Sequence, residues 1–383
     1  MSTKSFDFII IGAGLSGLHL AHSFLNDPFF KDFSIAIIDK SSKSENDKTY
    51  CFWEKGKGNW DSILTKSWTS ALVYGTSKKI NVSLLPYTYK MVKSLDFYNL
   101  VLSEIEASNT IQFFKDDVQY VNEDNIVTVT CNTNSFQAKQ VFDSRVSEDF
   151  KKDKTATTLL QHFKGCTIST KKPTFNPEVL TMMDYRLTYK NTTSFMYVLP
   201  ITPTKALIEY TFFSPSLVED HIYDSHLKTY ISNTLSITDY TIIESEKGVI
   251  PMTDYKFKKH HTDAITKIGT AGGWVKGSSG YSFKMSEKKS KRIIENIKTD
   301  SHPTKGLYNN KFELFDAIFL KVLKDDNSYG PKLFQDFYSK NEMAIALKFL
   351  DEETSINEDL KIVWSLKSFK FIKAFLKTLF RFR

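Results

Sequence analysis

Residues 6–39 constrain the fold more than any other part of the chain. Phe6-Asp7-Phe8-Ile9-Ile10-Ile11 is a nearly continuous apolar run of the kind that forms a buried parallel strand. Gly12-Ala13-Gly14-Leu15-Ser16-Gly17 follows, then a helical stretch that Asn26-Asp27-Pro28 breaks. A second buried strand, Ser34-Ile35-Ala36-Ile37-Ile38, ends at Asp39. Strand, glycine turn, helix, strand and acid, in this order and within about 35 residues, predict a βαβ unit that holds a dinucleotide. In the Gly12-Ala13-Gly14 backbone, Gly12 permits the tight turn and Gly14 lets the main chain approach a pyrophosphate. Gly17 allows close packing of helix on strand. The helix N-terminus offers free N–H groups to the phosphates. Asp39 would accept hydrogen bonds from ribose hydroxyls, which favours FAD or NAD over NADP.

A second glycine turn, Ile268-Gly269-Thr270-Ala271-Gly272-Gly273, follows a short strand far along the chain, and Gly277-Ser278-Ser279-Gly280-Tyr281 lies close behind it. Two such turns able to approach one extended ligand favour FAD over NAD, with Gly272 and Gly273 toward the flavin end. At 383 residues the chain is long enough for two intimately packed domains. Cys51, Cys131 and Cys166 show neither paired nor metal-ligand spacing, and His260-His261 lacks companion ligands. Free thiols in a reducing compartment and no metal site are expected. No secretory signal pattern is seen at the N-terminus, and no apolar run reaches the ~18 residues of a spanning helix.

Glu209 is a lone carboxylate in Ala206-Leu207-Ile208-Glu209-Tyr210-Thr211-Phe212-Phe213, a run rich in β-formers. On a strand it shares a face with Leu207, Thr211 and Phe213. Burial among them raises a carboxyl pKa, and a neutral acid facing an apolar space is a proton donor suited to a hydrophobic substrate. The alternative is a solvent-facing acid on a two-sided strand. Phe195-Met196-Tyr197-Val198-Leu199 lies just upstream across a proline-bearing loop, which predicts a hairpin in an antiparallel sheet.

Six of the seven net positive charges lie in residues 366–383, which carry no acid. Lys367, Lys370, Lys373, Lys377, Arg381 and Arg383 alternate with Phe369, Ile372, Phe375, Leu376, Leu379 and Phe380. This is a basic amphipathic helix of the type that lies on a membrane surface, or else one that packs its apolar stripe on the core. A charge so confined does not make a nucleic-acid stripe, and no nucleic-acid partner is expected.

Several separate stretches resemble the lycopene cyclase family of FAD-dependent, membrane-associated carotenoid enzymes. They are the first glycine turn, Asp47-Lys48-Thr49-Tyr50-Cys51-Phe52-Trp53, Val141-Phe142-Asp143-Ser144-Arg145 and Met183-Asp184-Tyr185-Arg186. The strand pair around Glu209, Gly269-Thr270-Ala271-Gly272-Gly273-Trp274, Ser278-Ser279-Gly280-Tyr281 and Phe349-Leu350-Asp351-Glu352-Glu353-Thr354 complete the set. Tyr50 stands where tryptophan is usual in the family, and Gly277 where proline is common.

The resemblance implies an α/β fold: a Rossmann-like FAD-binding domain of the flavin hydroxylase type, a second antiparallel-sheet substrate domain and a helical C-terminal region. The expected division is 1–70, 95–170 and 245–300 for the first, 71–94 and 171–244 for the second, and 301–383 for the third. It implies Glu209 as the catalytic carboxylate and Arg145 among the cofactor-binding residues. The implied reaction is redox-neutral cyclisation of the ψ-ends of lycopene to β-rings, with reduced FAD and with NAD(P)H as its reductant. Trp53, Tyr197 or Tyr210 would offer faces to the cations. The implied location is cytoplasmic, at the inner face of the cell membrane. A flavin monooxygenase or isoprenoid reductase on the same scaffold, and a non-catalytic polyene carrier, are the competing readings.

Overall fold

The apolar runs on either side of the first glycine turn pair as parallel strands. The computed structural model describes residues 3–382, without the side chains of 380–382. Thr3–Ile11 lies between Ile35–Asp39 and Ser135–Asp143, with Ile111–Lys115 outside Ile35–Asp39, all parallel. Val127–Cys131 and Val118–Glu123 extend the sheet antiparallel, and Ile265–Lys267 pairs with the end of Ser135–Asp143. Alternate residues of the first strand enter different cores. Phe8 and Ile10 pack with Leu18, Leu20 and Phe24 of helix Leu15–Leu25, whereas Ile9 and Ile11 pack with Ala36, Ile38 and Val141. Burial on both faces accounts for the unbroken apolar run.

A second seven-stranded sheet runs Tyr240–Thr253, Thr158–Thr170, Lys205–Ser214, Thr193–Thr202, Val179–Asp184, Ser70–Tyr74, Lys79–Ser83. Its pairs are antiparallel except Val179–Asp184 with Ser70–Tyr74. The hairpin expected around Glu209 is present, and its strands continue through Pro200 so that only Pro203 and Thr204 form the turn. Two segments counted above with the nucleotide-binding part pair elsewhere. Thr158–Thr170 bonds along its length to Lys205–Ser214 and Tyr240–Thr253, so both 158–170 and 245–253 stand in the second sheet. Tyr87–Lys93, counted with the second domain, pairs instead with Thr49–Lys55 and Lys66–Trp68 in a third, small sheet.

Helices Asn310–Asp325, Gly330–Lys340, Met343–Leu350, Ile356–Ser365 and Phe369–Phe382 make up the C-terminal region. The tail packs part of its apolar stripe on the core. Ala374 and Thr378 are buried and Phe371 packs on the core, while Lys370 and Lys377 pair with Asp326 and Asp325. Other apolar side chains face outward: Trp364 is 71%, Phe369 79% and Ile372 56% exposed, with Leu360, Leu376 and Leu379 beside them in sequence and exposed too. Arg383 and the side chain of Arg381 fall outside the described residues. Among those residues no helix is long and apolar enough to cross a membrane.

Candidate active site

The glycine turn takes its shape from the steric demands of its backbone. Gly12 has φ +98°, and a Cβ there would sit 2.1 Å from Ser144 Oγ, whose hydroxyl donates to Ile11 O. A Cβ on Gly17 would lie 1.9 Å from the Gly12 carbonyl oxygen. At Gly14, by contrast, a Cβ would meet nothing within 4 Å, and no side chain caps helix Leu15–Leu25, which begins there. The turn thus presents uncapped N–H groups to open space. Asp39 braces it: its carboxylate accepts from Ala13 N at 2.7 Å and Ser41 N at 2.7 Å and pairs with Lys43.

That open space is one end of a cavity of about 480 Å³. Gly14 to Gly17, Ser144, Gly269 and Thr270 line this end. Gly269, at φ +61°, abuts Ser16 so closely that a Cβ would lie 3.0 Å from its hydroxyl, bringing the two glycine turns together. Gln161 Oε1, Trp274 Nε1 and Ser279 Oγ are buried without a hydrogen-bond partner among the described residues, and all three residues line the cavity. Uncapped N–H groups, a steric gap at Gly14 and unsatisfied polar atoms fit a long, polar dinucleotide.

Other residues expected at the cofactor stand outside this lining. Gly12, Ala13, Asp39 and Gly272 are not part of it, and Gly273, at φ +67°, lines a neighbouring pocket. Arg145 grips buried Asp143 through Nε and Nη2, both at 3.0 Å. Burial opposes the Asp143 charge, but Arg145 and Lys267 outweigh it and hold the carboxyl below its usual range.

Glu209 faces the other end of the cavity with Leu207, Thr211 and Phe213, while Ile208, Tyr210 and Phe212 pack on the reverse side with Tyr223 and Leu227 of helix Asp220–Thr229. A strand covered on both faces leaves its one carboxylate little water; Glu209 is 8% exposed. Thr211 Oγ1 donates to Glu209 Oε1 at 2.5 Å. Across the sheet, Glu246, Gly165, Glu209 and Tyr197 stand in register on four adjacent strands. Gly165 leaves the gap through which the two carboxyl groups meet, since a Cβ there would press within 3.2 Å of the Glu209 Cβ. Thr49, from the Asp47–Trp53 stretch, donates to Glu246 Oε2 at 2.8 Å. Burial, then the charge of Glu246 and a hydrogen bond with it, push the Glu209 carboxyl well above its usual range; burial raises Glu246 too. Two carboxyls this close do not both ionise readily, so the pair retains a proton near neutral pH.

Tyrosine rings complete this end. Tyr89 Oη bonds to Tyr197 Oη at 2.7 Å and Tyr281 Oη at 2.8 Å, and all three residues line the cavity. Burial keeps all three phenols neutral by raising them far above their ordinary range. Of the three aromatics singled out in the sequence, Tyr197 is here. Tyr210 lies on the opposite face, stacked on His226, and Trp53 sits behind the cavity wall with its ring edge-on to Tyr281. Glu246 escaped sequence reasoning because its strand reads as an ordinary solvent-facing alternation. Tyr89 carried no local signal beyond aromatic character, and Tyr281 was marked only as the end of the 277–281 stretch, with no role of its own. Among the described residues, no three His, Cys, Asp or Glu side chains are grouped to hold a metal.

The architecture is shared with several solved enzyme structures. A geranylgeranyl bacteriochlorophyll reductase-like protein from Thermoplasma acidophilum superposes with a TM-score of 0.62 at 13% identity, covering 99% of this chain and 96% of its own. The flavin-dependent brominase Bmp2 gives 0.59 at 12%, covering 99% of both chains. A tryptophan halogenase from Shewanella frigidimarina gives 0.60 at 9%, covering 99% of this chain and 94% of its own. No curated protein sequence matches. The lycopene cyclase protein family matches residues 7–379, and the chain belongs to that family.

Proposed function

We propose that this protein is a lycopene cyclase, closing the acyclic ψ-ends of lycopene to β-rings, by way of γ-carotene to β-carotene, without net oxidation. The observation that carries this is the buried Glu209–Glu246 carboxyl pair, whose surroundings favour the protonated form, set beside three hydrogen-bonded tyrosines in a cavity that continues to the first glycine turn. Glu209 delivers its proton to the terminal double bond, leaving a tertiary cation. The neighbouring double bond attacks, closes a six-membered ring and leaves a second tertiary cation. The carboxylate pair then takes up a ring proton and exchanges it with solvent before the next turnover, so one proton enters and one leaves and no electrons are exchanged. The faces of Tyr89, Tyr197 and Tyr281 stabilise the cations by roughly 0.5–2 kcal/mol each. Gly14 to Gly17, Gly269 and Thr270 would hold FAD, with NAD(P)H as its reductant. Reduced FAD supplies an electron-rich ring system that favours positive charge nearby.

Activity is expected to fall as pH rises through the raised titration of Glu209, because only the protonated acid can donate. Glu246→Gln removes the neighbouring negative charge that helps to raise Glu209. The falling limb of the kcat profile should therefore move to lower pH; a limb that stays in place would remove Glu246 from the proton pair.

The substrate is a bilayer-dissolved hydrocarbon, and the outward apolar side chains of the last two helices, flanked by lysines, suit a membrane surface. Trp364→Ser with Phe369→Ser should cut binding to anionic phospholipid vesicles about tenfold or more, since each buries a large aromatic in the interface. Both are exposed, so the fold is kept. Unchanged co-sedimentation with the vesicles would reject this face as the docking surface.

The direct test of the function is expression in lycopene-producing cells, followed by pigment chromatography. A product of unchanged mass and altered absorption supports cyclisation. Consumption of one reductant per product would favour a reductase or monooxygenase instead.

A further inference from the structure

A second cavity, of about 330 Å³, lies among the five C-terminal helices. Its walls are almost wholly apolar, with Phe315, Phe319, Phe334, Phe337 and Phe349 among them. Such a volume is within the usual range for a small-molecule pocket. Two observations say what it is for. First, Tyr338 lines both this cavity and the one that holds Glu209, so the two border on the same residue. Second, Val363, Ile372 and Phe375 line this cavity and are also 49%, 56% and 41% exposed, so it reaches the surface on the helices that carry the outward apolar residues. Lys367 marks the same rim, its ammonium 3.8 Å from the centre of the Trp364 ring.

Building on the cyclase reading above, we infer that the cavity among the C-terminal helices binds the hydrocarbon chain of a long acyclic polyene. The chain enters from the lipid-facing rim and passes Tyr338 to place its end group at Glu209. A long, rigid, apolar molecule needs a dry wall along its whole length, and the glutamate cavity, shared with a dinucleotide, supplies only part of one. The aromatic walls match the flat conjugated chain.

The test uses the full-length, flavin-loaded protein with Val363→Trp and Ile372→Trp combined. These positions are half-exposed at the rim, far in sequence from the proton-donating pair. Binding of the fluorescent tetraene cis-parinaric acid should weaken about tenfold or more, the scale expected when an apolar pocket is filled. The kcat/KM for lycopene should fall similarly, while a short isoprenoid that carries only the ψ-end is turned over as by the parent protein. Equal parinaric acid affinity in parent and variant, or equal losses on long and short substrates, would overturn the inference. Should the double variant fail to fold, Val363→Asp, which puts a charge at the rim, carries the same expectations. If neither substrate cyclises on the parent protein, the cyclase reading fails, and the parinaric acid comparison still decides whether the cavity takes a polyene.

Discussion

Glu209→Gln is expected to abolish ring closure, with a loss on the order of 10²–10⁴-fold or more in kcat, the range set by removing a positioned general acid. The amide keeps the size of the side chain and can still accept from Thr211, so the strand and the cavity wall should be undisturbed. What is lost is an acidic proton. Flavin content and melting temperature should match the parent. Glu246→Gln should cost far less, about tenfold, because it changes the acidity of the donor and not its presence. If the two losses were reversed, Glu246 would be the donor and Glu209 its partner. If Glu209→Gln retained full activity, the proton-donor role would be lost altogether.

Gly14→Val should empty the protein of flavin while leaving it folded. The Gly14 backbone is extended, at φ −80° and ψ −170°, a conformation open to any residue, and a Cβ there meets no neighbouring atom. The branched side chain would fill the space in front of the uncapped helix N-terminus where the diphosphate of the proposed FAD would lie. A drop in FAD affinity of about 100-fold or more, worth about 3 kcal/mol or more, is expected, with thermal unfolding of the apoprotein unchanged. Gly17→Ala is the contrasting case. Its Cβ would collide with the Gly12 carbonyl oxygen at 1.9 Å, so it should destabilise the fold by a few kcal/mol regardless of flavin. A Gly14→Val protein that still purifies yellow would displace the cofactor from this turn.

The sequence made the first glycine turn legible because its whole signal is local: apolar runs, glycine spacing and a terminal acid, all within one βαβ unit. The position of Glu209 was legible for the same reason, since strand parity alone places it with Leu207, Thr211 and Phe213. Parity also puts Tyr210 on the other face, so its inclusion among the cation-facing rings ran against the pattern of its own strand. The partner of Glu209 was a different matter. Glu246 lies 37 residues downstream of it, on a strand whose exposed charges look ordinary. Only the register of three strands, with Gly165 between, brings the two acids together. The tyrosine cluster likewise joins Tyr89, Tyr197 and Tyr281 from distant segments. The division of the chain misplaced Thr158–Thr170 and 245–253 because a strand declares its own type but not the sheet it joins.

The chemistry and the architecture depend on each other. Burial of the Lys205–Ser214 strand and the nearness of Glu246 both push the Glu209 carboxyl up, which favours its protonated form. The same dryness that withholds water from the acid would protect a tertiary cation from capture as an alcohol. Entry among the C-terminal helices would keep that dryness continuous from the lipid to the reacting end.

In the proposed cyclisation one proton goes in and one comes out while no electrons move. The most direct measurement of this is the product mass when purified protein, reduced FAD and lycopene react in D₂O with the reductant metered. The expected product carries one deuterium for each ring closed, with no reductant consumed per turnover beyond the initial reduction of the flavin. A cyclised product free of deuterium, or reductant consumed in step with product, would contradict protonation by an exchangeable carboxylic acid as the driving step.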